Sequence, residues 1–189
     1  MLSKIFIITG TSGAGKDSVI EKLEDQGLDF VWAKTTTTRP KREGETEGNP
    51  YYFVAPENFQ EKIERQELIE YAEVYGTYYG MERKNIEKYL NSGKTTIVRI
   101  DIQGVPTYKK AYPNSVCIFI SAPSFEELEE RIRTRGKDSE EAIQKRMAVA
   151  REEMVDIDTN PLYDFVVINE KGELEETAEK VAEIIRKNS

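Results

Sequence analysis

The stretch "IFIITGTSGAGKDSVIEKL", from Ile5 to Leu23, decides how the rest of the chain is read. Its first half is a short β-branched apolar run, the pattern of a parallel strand buried on both faces. Its second half sets Val19, Ile20 and Leu23 on one face of a helix that opens at Gly15 and closes at "DQG", residues 25–27. Between the two, Gly10 to Lys16 satisfies G-x-x-x-x-G-K in the setting that gives the pattern meaning, after a strand and before a helix. Small residues at Gly10, Thr11, Ser12, Gly13, Ala14 and Gly15 let the backbone curl so that successive N–H groups converge on phosphate oxygens. The helix N-terminus adds partial positive charge and Lys16 a full one. A glycine-rich turn without a ligand would use similar residues but needs no lysine. Asp17 stands where such a loop ordinarily has the serine or threonine that helps hold Mg²⁺. It reads either as a hard oxygen ligand or as a first-turn acid favoured by the helix dipole, and the second reading is preferred. Ser18, one residue on, then supplies the loop hydroxyl.

Outward from this stretch the same rhythm recurs. "TTIVRID", "SVCIFIS" and "YDFVVIN" read as three further strands, each followed by a helix-compatible run: Ile102 to Ala111, Phe125 to Arg135 and Leu174 to Lys187. That alternation predicts an α/β fold with a central parallel sheet covered on both faces, a three-layer arrangement. Two polar segments interrupt it. Residues 35–80 are rich in Thr, Arg, Gly, Glu and Tyr, with "YYFV" and "LIEYAEV" as short strands and a helix from Pro56 to Gln66 between them. Residues 124–159 are charged and helical, broken at "RGKDSEE", where Asp138 or Ser139 is placed to cap a second helix.

Composition narrows the chemistry. The chain has 189 residues, a net charge of −8, one cysteine and no histidine. Acidity argues against a nucleic-acid groove, which needs a basic stripe. Without histidine there are no imidazole bases and no histidine-containing zinc sites, so carboxylates, lysine, arginine, hydroxyls or a recruited metal must carry any reaction. That set suits phosphoryl transfer, where positioning and positive charge matter more than proton shuttling. Cys117 cannot form an intramolecular disulfide, and its apolar neighbours predict a buried core thiol. The apolar runs are too short to span a bilayer, and the residues after Met1 enter a strand pattern without a secretory leader, so a cytoplasmic protein is expected.

In the first excursion, "TTTTRPKREGETEGNPYYFV" gathers Arg39, Lys41 and Arg42 beside two glycines and two tyrosines. A solvated basic turn is the plain reading; a second phosphate site, with arginines forked onto a dianion, is the functional one. With these residues in view, the chain from Ile5 to about Asn169 resembles guanylate kinase, a nucleoside monophosphate kinase. The resemblance rests on an ordered succession: "GTSGAGK", "TTRPKREGE", "YYFV", "LIEYAEV", "YYG", "DIQG", "SVCIFIS" followed by a charged helix, "RGKDSEE" and "YDFVVIN". The phosphate loop alone is common to many unrelated proteins; the succession is specific.

The resemblance implies a P-loop kinase fold. Its core would comprise residues 1–34, 84–123 and 160–189, its GMP-binding lobe 35–83, and its helical lid 124–159. It implies transfer of a phosphoryl group from ATP to GMP, with Mg²⁺, in purine nucleotide metabolism, with dGMP as a further acceptor. Arg39, Arg42, Tyr51 and Tyr79 correspond to binders of the GMP phosphate. Glu70 corresponds to the carboxylate that reads guanine, which offers adjacent N1–H and N2–H₂ donors that adenine lacks. Thr35 matches a hydroxyl near guanine O6. In the lid, Arg131, Arg133, Arg135, Lys137, Lys145 and Arg146 also fit salt-bridged surface helices. The resemblance singles out Arg135 and Arg146 as a clamp on the transferring group, with Lys16 and Arg39, and leaves Arg131 an auxiliary place. Asn169 matches a position near adenine. Asp101, at the end of a parallel strand, is read as a Mg²⁺ or guanine-pocket carboxylate, with a turn-forming aspartate as the plain alternative. Ser18 and Asp101 are thus the candidate metal oxygens.

Four positions depart from the family pattern. Besides Asp17, Met81 follows "YYG" where a hydroxyl is usual, Arg99 replaces an acid two residues before Asp101, and Lys137 replaces a threonine of the lid turn. "GKDS" also occurs in related kinases acting on ribose 1,5-bisphosphate, which leave "TTRPKREGE" and Glu70 unexplained. A non-catalytic binding module would be expected to lose Lys16 or the lid arginines. No nucleic-acid or membrane partner is expected; assembly with further copies stays open.

Overall fold

A computed structural model describes residues 4–74, 76–134, 139–155 and 157–189. A five-stranded sheet is ordered β2-β7-β1-β8-β9: β2 Val31–Ala33, β7 Thr96–Arg99, β1 Ile5–Gly10, β8 Val116–Ser121 and β9 Phe165–Ile168. The registers are parallel, with Trp32 opposite Ile97 and Phe119 opposite Val166. Phe6, Ile7 and Ile8 are wholly buried, as the unbroken apolar run requires of a strand covered on both faces. Each such side chain contributes about 1.5–3 kcal/mol on leaving water.

The chain divides into two compact units, Met1–Ile7 with Phe30–Ser115 and Ile8–Asp29 with Val116–Ser189. The second unit holds α1 (Lys16–Asp25), α5 (Phe125–Thr134), α6 (Glu140–Glu153), α7 (Leu174–Asn188) and a short 3₁₀ turn, Ile157–Thr159. Val19, Ile20 and Leu23 are the buried face of α1, as their spacing predicts. Leu128 and Ile132 of α5 pack on Ile143, Met147 and Ala150 of α6. Ser139 caps α6, its hydroxyl accepting the Ala142 N–H at 3.3 Å. Asp138, the other capping candidate, lies outside the described residues. Cys117 is buried, as expected.

The first unit carries a second sheet, ordered β4-β3-β6-β5: β4 Tyr52–Phe53, β3 Thr36–Thr37, β6 Thr77–Glu82 and β5 Leu68–Val74. Around it lie α2 (Pro56–Glu64), α3 (Arg83–Leu90), a 3₁₀ turn at Ile102–Gly104 and α4 (Val105–Ala111). Thus the predicted helix Ile102 to Ala111 begins as a 3₁₀ turn, with the Asp101 carboxylate accepting the Gln103 N–H. Strands β2, β3 and β6 and helix α3 have no counterpart in the sequence reading. Two or three residues are too few to display a period. In "TYYGME" a glycine interrupts the alternation, and Gly80 is needed because a Cβ there would lie 3.0 Å from the Glu70 carbonyl oxygen. The β5–β6 pairing is antiparallel with an irregularity between Leu68 and Glu70, so that Leu68 faces Glu82 while Glu70 faces Met81. Past this bulge Glu70 and Ala72 are buried while Tyr71 and Glu73 are exposed.

Candidate active site

The phosphate loop belongs wholly to the second unit. Gly15 caps α1 at φ 92°, ψ 21°, a left-handed conformation that costs other residues dearly. A Cβ there would also come within 2.5 Å of Asn169 Nδ2, so glycine is required on two counts. Lys16 is the first residue of α1, and its ammonium donates to the carbonyls of Gly10 at 2.7 Å and Thr11 at 2.9 Å. That holds its charge over the loop between Gly10 and Gly15. Asp17 and Ser18 follow in the first turn, both exposed. The carboxylate thus sits where the dipole favours it.

Asn169 directly follows β9 and is buried; its amide donates to the Ala14 carbonyl at 2.8 Å and its backbone N–H to Ser121 at 2.8 Å. The side chain matched to the adenine position therefore also ties the loop to the sheet. Arg131 of α5 donates to the Asn169 carbonyl at 2.7 Å and to Glu127. An open cleft of about 440 Å³ lies against these groups, lined by Gly13, Gly15, Ser18, Glu127, Arg131, Asn169 and Leu174 among others. Arg133 is committed elsewhere, to Glu129 and Glu140 on the helix surface. Arg146 lies half-buried on α6; Arg135 and Lys137 lie outside the described residues.

The acceptor candidates gather in the first unit. Tyr51, just before β4, is buried, with the Tyr79 ring edge-on at 5.7 Å. The Arg39 guanidinium lies 5.4 Å from the Tyr51 ring centre. Arg39 also makes a two-oxygen contact with Glu45, at 2.7 and 2.9 Å, and Glu45 accepts the Arg42 N–H at 2.8 Å. Glu45 is held below the usual carboxylate range, first by its hydrogen bond from Arg39. It thus fixes the turn that carries both arginines, a role the sequence reading missed because its pattern is that of any polar loop. The Arg42 side chain itself is exposed.

Glu70 is a buried carboxylate. Burial, then the like charge of Asp101, push it up to about 8, while the Met81 backbone N–H favours the ionised form. Gly104 lies against it: a Cβ there would sit 2.5 Å from Glu70 Oε2. Met81, wholly buried, meets Glu70 through its backbone rather than through a side-chain hydroxyl. Thr35 is buried at the start of the same sheet, its carbonyl accepting the Tyr52 N–H at 2.9 Å. Asp101 is half-buried, its carboxylate bound to the Gln103 N–H at 3.1 Å and electrostatically coupled to Glu70. Arg99 donates to the Tyr51 phenol oxygen, a contact the sequence reading did not anticipate.

Comparison with known proteins identifies the family. The guanylate kinase family model matches residues 2–188. The chain is 38% identical over 186 residues to a guanylate kinase of Thermotoga maritima, covering 98% of this chain and 87% of that one. It is 40% identical over 171 residues to one from Bacillus cereus, covering 90% and 82%. The crystal structure of guanylate kinase from Anaplasma phagocytophilum superposes with a TM-score of 0.75 at 33% identity, over 98% of this chain and 86% of that one.

Proposed function

Because the chain belongs to the guanylate kinase family, we propose that its two groups of site residues serve one reaction, ATP + GMP ⇌ ADP + GDP. Phosphorylation of GMP is the activity of this enzyme. The residues below are assigned to its steps, within purine nucleotide metabolism and in the cytoplasm.

Lys16 and the loop amides from Gly10 to Ser18 hold the donor phosphates, with Asn169 fixing the loop beneath them. Ser18 offers a hard oxygen in the first turn of α1. A Mg²⁺ that arrives with ATP is carried mainly on the substrate phosphates. Ser18 would hold that ion, with Asp101 the second candidate. When bound with ATP, Mg²⁺ supplies charge neutralisation on the phosphate oxygens. Arg39, Arg42, Tyr51 and Tyr79 bind the GMP phosphate. One of its oxygens, already ionised near neutral pH, bonds to the γ-phosphorus as the bond to the ADP oxygen breaks, so no general base is needed. Arg135 and Arg146 are assigned to the charge that develops on the transferring group.

The observation that carries the acceptor reading is Glu70, a buried carboxylate whose ionised form is favoured by the Met81 backbone N–H. Guanine N1–H and N2–H₂ would satisfy its acceptor capacity, whereas adenine would leave it unpaired, at a cost of about 1–3 kcal/mol or more. Thr35 is assigned to guanine O6. A coupled ADP-release assay with Mg·ATP and GMP, dGMP, AMP, UMP, CMP, dTMP and ribose 1,5-bisphosphate tests this assignment. GMP well ahead, with dGMP behind it, is expected. Faster turnover of AMP or of ribose 1,5-bisphosphate would overturn it.

A further inference from the structure

Arg99 breaks the family pattern where an acid is usual, and its partner gives the substitution a meaning. Its guanidinium donates to the Tyr51 phenol oxygen, with Cζ 5.1 Å from the ring centre. Arg39 approaches the same ring at 5.4 Å, and Tyr79 meets it edge-on. Tyr51 is therefore a buried phenol flanked by two guanidinium groups, one from the 35–54 segment and one from the end of β7.

A phenol has one O–H donor and two acceptor lone pairs. Because Arg99 fills an acceptor position and has no acceptor of its own, the phenol proton cannot point toward it. The O–H therefore points away from Arg99, and a cation on the oxygen polarises it into a stronger donor. We propose that Arg99 is a positioning residue for the acceptor phosphate: it acts through Tyr51, orienting and polarising the phenol O–H toward that dianion. This rests on the reading of Tyr51 as a phosphate binder given above.

The test is a double-mutant cycle read by calorimetric titration with GMP and, separately, guanosine. R99M and Y51F should each weaken GMP binding roughly tenfold, the scale of one charge-assisted hydrogen bond. The double variant should be no weaker than either single one, since both remove the same interaction. Guanosine, which has no phosphate, should bind all four proteins alike. Should R99M not fold, R99Q, which lacks the charge, replaces it with the same expectation. Multiplying effects in the double variant would overturn the route through Tyr51. An equal loss for guanosine would reduce Arg99 to a structural role. Failure of the reading beneath it shows separately: wild-type protein that binds GMP no better than guanosine has no acceptor-phosphate site here at all.

Discussion

On the proposed assignment, the two compact units hold their nucleotides in opposite ways. In the unit that carries Ile8–Asp29, the work falls to the backbone: a glycine at φ 92°, a helix N-terminus and one lysine, all within Gly10 to Ser18. In the unit that carries Phe30–Ser115, side chains do it. Arg39, Tyr51, Glu70, Tyr79 and Arg99 come from separate strands and loops, and a buried carboxylate and two cations must be held apart from water. A backbone cradle tolerates change at its surface but not in its glycines or its lysine. A side-chain site is tuned by each neighbour's charge, and so it carries the pH dependence and the room for variation.

The largest effect that sharpens this contrast is expected from Lys16→Met. Loss of the positive charge of the cradle should lower kcat on the order of a thousandfold. It should also abolish the rise in melting temperature on adding Mg·ATP, while GMP binding measured by titration stays within about threefold. Equal loss of GMP affinity would mean that the two halves do not divide the labour as described.

Next comes Glu70→Gln, expected to reduce kcat/KM for GMP on the order of a hundredfold, because an amide presents one donor where guanine needs acceptors. This variant should be more stable than the parent at pH 8. Burial raises Glu70 from 4.5 to about 8, so between those values the folded chain keeps a proton that the unfolded chain has released. Its stabilisation is whole below about pH 4.5 and is lost as pH rises to about 8. Melting curves of both proteins from pH 5 to pH 8 check the sign: only the parent should lose stability from this source.

Binding runs the other way. On the proposed reading the ionised carboxylate is the form that recognises guanine, so GMP KM should fall roughly tenfold from about pH 6.5 to about pH 8.5, as Glu70 deprotonates. Glu70→Gln should keep only the shallower part of that slope that belongs to the GMP phosphate itself, whose second pKa is about 6. A parent profile flat above about pH 7 would remove Glu70 from guanine recognition.

The smallest effect belongs to the backbone-built unit. Ser139→Ala removes the cap of α6 and should cost about 1 kcal/mol, read as a melting temperature about 2–4 °C lower. KM for GMP should not move.

What could be read from the chain follows the same division. The cradle was legible because its physics is local: seven consecutive residues between a strand and a helix contain the turn, the dipole and the charge. The strand–helix rhythm of the five-stranded sheet and the Ser139 cap were legible for the same reason, except at β2, where three residues carry no period. The acceptor residues could be named only through resemblance, since "LIEYAEV" by itself describes a half-exposed strand with a polar Glu70. Tertiary structure alone buried that carboxylate, through the bulge against β6 and the close approach of Gly104, and set the like charge of Asp101 near it. It alone turned Asn169 onto the loop carbonyl 155 positions away, and Arg99 onto a phenol 48 positions away. The sequence determined the elements and the phosphate loop, because periodicity, helix capping and glycine conformation act over a few neighbouring residues. Tertiary structure decided ionisation and partner choice, because desolvation and Coulomb interactions depend on what the fold brings within a few ångströms.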